Sequence, residues 1–293
     1  MVKKEYTRMM KSIMTISIVI ILIVISIISF YISLSDKNMF ISQLNNPAED
    51  INIESLKTFI QHYNGFKFLF DFWYVSDFYF IFIIALLLFV GIFLSYQIQK
   101  HKDESYGNLL VTRISYKKYL NNTLISQSLY IFSIITIANF ISLIIAFFIG
   151  GFGGNTELGS FKINIIQALI IIFIQNIFMS FIVILINGCS LLISCLIRNK
   201  YILQVLPLLI FFIFPQLIIS TLGNFSDIIG NIALPFVLMN ELIAISNIIN
   251  DYVINDRIFY SEIIYYLIPI LTYFILFIVL YCINLKKNER DYI

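Results

Sequence analysis

The sequence predicts an all-α polytopic membrane protein with six transmembrane helices and both termini in the cytoplasm. Three observations carry that expectation. First, 60% of the 293 residues are hydrophobic and only 12% are charged, about half the charge of a soluble domain. Second, six runs of 21 residues or more lack Asp, Glu, Lys, Arg and His throughout. Third, the basic residues concentrate in alternate connections between those runs.

A hydrocarbon core of about 30 Å requires about 20 apolar residues per crossing helix, and barrel strands would instead alternate over about ten residues. The six runs are residues 12–34, 78–99, 123–150, 163–197, 202–222 and 263–285. The fourth is long enough for a helix of about 50 Å, so it must tilt, break or begin in the interface. Lys3, Lys4, Arg8 and Lys11 precede the first run in the manner of a signal peptide. Its apolar stretch is too long for a signal core, so it is read as a retained helix.

With both termini inside, 14 of the 19 Lys and Arg residues fall on the cytoplasmic side and only 5 of the 17 Asp and Glu residues do. That asymmetry is the ordinary topogenic signal, so the basic clusters do not imply nucleic acid as a partner; membrane lipid is the implied surroundings. Localisation in a cell membrane, of the bacterial cytoplasmic kind, follows as an expectation. The chain reads as one transmembrane domain over residues 1–293. Residues 35–77 and 223–262 are extracytoplasmic segments, 1–11 a basic leader and 100–122 a cytosolic insert.

In the first extracytoplasmic segment, residues 51–64 have helical spacing at Ile53, Leu56 and Ile60. The aromatic stretch FKFLFDFWYVSDFYF that follows reads as an interfacial anchor, since such rings favour the headgroup zone. The GGFGGNTELGS stretch after the third run reads as a glycine-rich hinge. Residues 228–250 are too apolar for a free loop and too interrupted to cross, which suits a sheltered re-entrant or interfacial helix pair.

Catalytic and metal chemistry lack carriers. The two histidines, His62 and His101, fall on opposite sides of the bilayer, and Cys189, Cys195 and Cys282 lie in apolar runs without CxxC spacing. HExxH, GxSxG and GxxxxGK[ST] are absent, so no catalytic residues, no metal ligands and no cofactor are assigned to this chain. Ionisable residues are also missing from the six runs, which weakens a proton-coupled carrier.

Polar residues inside the runs are ordered. At 100° per residue Asn176, Ser180, Asn187, Ser190 and Ser194 fall within about 80° of one another, and Ser12, Thr15, Ser26, Ser29 and Ser33 within about 100°. Each set is either helix-helix contact or the lining of a polar route.

The insert KHKDESYGNLLVTRISYKKY, residues 100–119, is the densest charge in the chain. Asp103 and Glu104 suit a helix N-terminus, Tyr106, Leu109 and Leu110 share a side with Arg113, and Gly107 permits close approach. Ser115 is a plausible N-cap for the helix that becomes the third span. Glu104, Gly107, Leu109-Leu110 and Arg113-Ile114-Ser115, with Asp77 and Gly91 around the second run, resemble the permease subunits of ABC-2 type transporters. The resemblance implies that residues 103–114 form a coupling helix seated in an ATP-binding cassette subunit, and that the leader forms an elbow helix on the inner leaflet. It further implies ATP and Mg on that partner, a second permease copy, homo- or heterodimeric, and export of an amphipathic peptide, drug or lipid-like cargo. The competing class is an ATP-independent polytopic protein, either a secondary carrier or a bacteriocin immunity or sensor protein.

Overall fold

Long apolar segments in a bilayer must satisfy their own backbone groups, and the α-helix does so within one segment. The structure, a computed structural model, describes residues 1–45, 53–103, 115–158, 161–193, 199–209, 213–223 and 260–290. It consists of helices α1 (Val2–Met10), α2 (Ile13–Asn45), α3 (Ile53–His62), α4 (Gly65–Tyr74), α5 (Asp77–Asp103) and α6 (Tyr116–Gly150), then a hairpin of β1 (Asn155–Leu158) and β2 (Phe161–Asn164). Helices α7 (Ile165–Ile193), α8 (Lys200–Leu208), α9 (Phe214–Ile218) and α10 (Tyr260–Arg290) follow. Among the described residues, α2, α5, α6, α7 and α10 contain stretches long and apolar enough to cross a membrane.

Helix α2 shows how the bundle is built. Thr15, Ile18, Leu22, Ser26, Ser29 and Ser33 recur at helical spacing and are buried, while Ile16, Ile20, Val24, Ile27 and Tyr31 on the other side are exposed. An exposed apolar face of this extent marks a lipid-facing surface. Its 33 residues span about 50 Å, so the helix continues well beyond the expected end at residue 34.

Packing fixes the direction of each long helix. Ser126 of α6 donates to Glu5 of α1 (3.1 Å), and Tyr281 of α10 donates to Asn121 of α6 (2.7 Å). Asn284 accepts from Tyr116 (2.6 Å) and donates to the Leu192 carbonyl of α7 (2.9 Å). Helix α1, the start of α6 and the ends of α7 and α10 therefore meet at one end of the bundle, called here the near end. Helix α8 runs away from it along α5, with Ser95 donating to the Leu203 carbonyl (3.2 Å).

Two expectations are corrected. The aromatic stretch after residue 65 is not an interfacial anchor: Phe66, Phe68, Leu69, Phe70, Phe72 and Trp73 are all buried within protein. Helix α4 is apolar on nearly every side because α2, α5, α6 and β1 surround it. Gly65 makes this possible, since a Cβ there would lie 2.8 Å from the Phe147 backbone, and Gly150 is equally tight against Gly65. The glycine-rich stretch is not a hinge either. Gly151, at φ +81°, turns the chain into the antiparallel hairpin, which pairs Asn155 with Asn164 and Leu158 with Phe161. The fourth run accordingly begins as a strand, and its helix starts only at Ile165.

Residues 202–222, expected as a span, are described in two stretches. Helix α8 occupies the first and α9 the second, and α9 passes into a π-helical turn at Ile219–Gly223. Pro207 and Pro215 each remove a backbone donor, and such irregular winding commonly accompanies them.

Candidate functional site

The far end of the bundle, opposite α1, holds a cleft of about 470 Å³ between α2, α4 and the start of α5. Its charged side chains come from three segments: Asp36 on α2, Lys67 and Asp71 on α4, and Asp77 opening α5. Helix α4 is positioned by its cap. Asn64 Oδ1 accepts from the backbone N–H groups of Phe66 (3.0 Å) and Lys67 (3.3 Å), while its Nδ2 donates to the Asn155 carbonyl of β1 (2.8 Å). The hairpin thus holds the helix that carries the cleft floor.

Lys67 and Asp71, one turn apart, form an ion pair at 3.0 Å with both side chains mostly buried. The Tyr63 hydroxyl also bonds the Asp71 carboxylate and the Ser33 hydroxyl of α2. Burial raises the Asp71 carboxyl above its ordinary value, against the stabilising ammonium of Lys67 and the Tyr63 bond. Burial likewise raises the Tyr63 phenol, and the neighbouring Asp71 charge adds to it. Ser29 donates to Ser76 (2.9 Å), whose hydroxyl accepts from the Phe78 N–H (3.2 Å) and caps α5. Asp36 and Asp77 are exposed at the mouth and belong to no ion pair among the described residues.

A second polar region runs through the bundle between α6 and α7. Asn139 Nδ2 donates to Asn176 Oδ1 (3.0 Å), and Asn176 Nδ2 donates to Thr136 Oγ1 (2.9 Å). Gln175 Nε2 donates to the Tyr79 hydroxyl of α5 (3.3 Å). Asn139 Oδ1, Ser142 Oγ and Ser180 Oγ are buried without a partner among the described residues.

Of the residues singled out on the fourth run, Asn176, Ser180, Asn187 and Ser190 are all buried on the protein-facing side of α7. Among the described residues Asn176 bonds to another helix, whereas Asn187 and Ser190 donate to the Val183 and Ile186 carbonyls of their own helix, at 2.9 and 3.0 Å. Ser194 lies outside the described residues, as do Glu104, Tyr106, Gly107, Leu109, Leu110 and Arg113 of the insert. Asp103, expected at a helix N-terminus, is instead the last residue of α5. At the near end Glu5 is held by Ser126, and burial raises its carboxyl above the usual range. Arg8 donates to Gln97 of α5 (3.0 Å).

The cleft escaped the sequence reading, which looked for charge inside the apolar runs. Its legible trace is the Lys67–Asp71 spacing of one helical turn inside an otherwise aromatic segment. Asp36 and Asp77 join that pair only through tertiary packing.

Fold and polar sites together define a multi-pass, membrane-embedded helical protein. Comparison with family models, curated proteins and solved structures finds no match to this chain.

Proposed function

We propose that this chain is the permease subunit of an ATP-driven exporter of the ABC-2 type, with six crossings and both termini cytoplasmic. The near end is then the cytoplasmic face, and the far-end cleft opens outward. The supporting observation is the placement of the insert. Helix α5 runs unbroken to Asp103 and α6 starts at Tyr116, and both of these helix ends lie at the end of the bundle where α1 also packs.

The direction of the helices supports the sixth crossing. Helix α7 ends at the near end, whereas α10 begins at the far end and finishes near Asn121, an arrangement that a further crossing between them would satisfy. In this reading α8, packed along α5, opens that crossing. Helix α1 packs against α6 and, in this reading, is the elbow helix.

Such a subunit binds no nucleotide itself. A separate cassette ATPase would bind ATP with Mg and grip residues 103–114, and a second permease copy would complete the path. The cargo class is an amphipathic peptide, drug or lipid-like molecule.

The test is co-purification of a Walker-motif ATPase encoded beside this chain, followed by the E104K/L110K double variant. Loss of ATPase capture with normal membrane insertion is the expected result. Unchanged capture removes the coupling assignment, and cargo movement by the purified chain without an ATPase favours the ATP-independent class.

A further inference from the structure

We propose that the far-end cleft is a binding site for a small amphipathic amine, its ammonium held at the mouth by Asp36 and Asp77 and its apolar body laid along the cleft wall. The proposal does not depend on the ATP-driven reading, because the binding requires only this chain.

The volume is the first argument. About 470 Å³ falls within the range of small-molecule pockets and far exceeds the space of a bare ion or a few waters. The second is the distribution of charge. Three carboxylates and one ammonium line the cleft, and the ammonium of Lys67 is already committed to Asp71. Asp36 and Asp77 remain exposed and without an ion pair among the described residues, so the mouth favours a cation.

The third argument is the wall. Ile32, Phe40, Val75 and Phe78 give the same cleft an apolar side, and the greater part of its lining is carbon. A metal ion or a polyamine would leave that side wet, whereas an amine carrying an aromatic or short alkyl body would cover it. Position agrees with this chemistry. Ser29 and Asp36 lie about 24 and 35 Å along α2 from Ile13, so the cleft straddles the boundary of a hydrocarbon core of about 30 Å. An amphipath presents its charge and its apolar body across the same boundary.

The bonded groups behind the mouth keep the cavity in shape. Tyr63 links Asp71 to Ser33, and the Ser29–Ser76 bond joins α2 to the start of α5. A ligand therefore meets a formed cleft rather than ordering one, which reduces the entropic cost of binding.

The probe is dansylcadaverine, a fluorescent primary amine with an aromatic body. Its N-acetyl derivative, which has the same body without the charge, is the companion. Each is titrated against the protein in lipid nanodiscs at neutral pH, with empty discs as the blank. Saturable binding of the amine is expected, with the acetylated form about fivefold weaker or more. The D36N/D77N variant should weaken the amine by about fivefold and leave the acetylated form unchanged. Ile32→Trp, which fills the cleft from an exposed position on α2, should abolish saturable binding of both probes. Equal binding of the two probes, or full amine affinity in D36N/D77N or Ile32→Trp, overturns the proposal.

Discussion

The seam between α6 and α7 and the cleft at the far end both gather polar side chains, yet they differ in charge, closure and completeness of bonding. In the seam Asn139, Asn176 and Thr136 are uncharged and bond one another across two helices. In the cleft Lys67, Asp71 and Tyr63 form a buried charged cluster, while Asp36 and Asp77 stand exposed at the mouth. Amides and hydroxyls inside a bilayer hold helices together, and their worth is modest because the unfolded chain in lipid also finds partners. Charges tolerate neither lipid nor burial unless they are paired, whereas exposed carboxylates keep their water and stay open to a cation. The seam is suited to holding the bundle together and the cleft to receiving something.

The comparison breaks first at Lys67. Lys67→Met leaves the buried Asp71 carboxylate with Tyr63 as its remaining partner and should cost about 2–3 kcal/mol at neutral pH. Thermal unfolding in detergent reads this loss. Its pH dependence has a definite sign. Burial raises the folded Asp71 value above 3.8, so its favourable contribution is complete while the group is protonated and is lost as pH rises through the folded value. Removing Lys67 raises that value further. The gap between variant and wild type should therefore widen with rising pH and close toward acid, and a gap independent of pH would show that Lys67 acts through packing alone.

A smaller effect is expected in the seam. Asn176→Leu deprives Asn139 and Thr136 of their partner and should cost about 1 kcal/mol. Combined with Asn139→Leu, the loss should be less than the sum of the two, with a coupling of about 0.5–1.5 kcal/mol. Strict additivity would remove the bond between the helices from the account. The smallest effect belongs to the cleft mouth: D36N/D77N should change stability by no more than about 0.5 kcal/mol, since both groups are exposed and in no ion pair among the described residues. A large loss would make these carboxylates part of the framework.

The five long helices were legible because uncharged runs of crossing length admit no other regular structure in lipid. Their limits were less so. Helix α2 continues past residue 34 through Asp36 and Lys37, because Lys37 finds the Tyr63 and Gly150 carbonyls at 2.8 and 3.3 Å, a pairing between distant parts of the chain. Helix α4 was misread because aromatic composition is the same in a headgroup belt and in a protein interior. What separates the two is the absence of a polar face, broken only by Lys67 and Asp71, and that pattern was present in the sequence. The proline pair in residues 202–222 signalled irregular winding. The cleft could not be assembled from sequence, since its carboxylates lie on three elements that meet only in the folded bundle.

Helix α5 begins at the cleft with Asp77 and, over 27 residues, reaches Asp103 about 40 Å away. Midway, Gly91 lies flush against α8, where an added Cβ would stand 3.0 Å from the Gln204 carbonyl and 3.3 Å from Pro207. A stiff rod pressed on a fulcrum near its centre cannot tilt at one tip alone. For a rod pivoting at that point, an outward swing of Asp77 would carry an opposite swing of Asp103, scaled by the two arms of the lever.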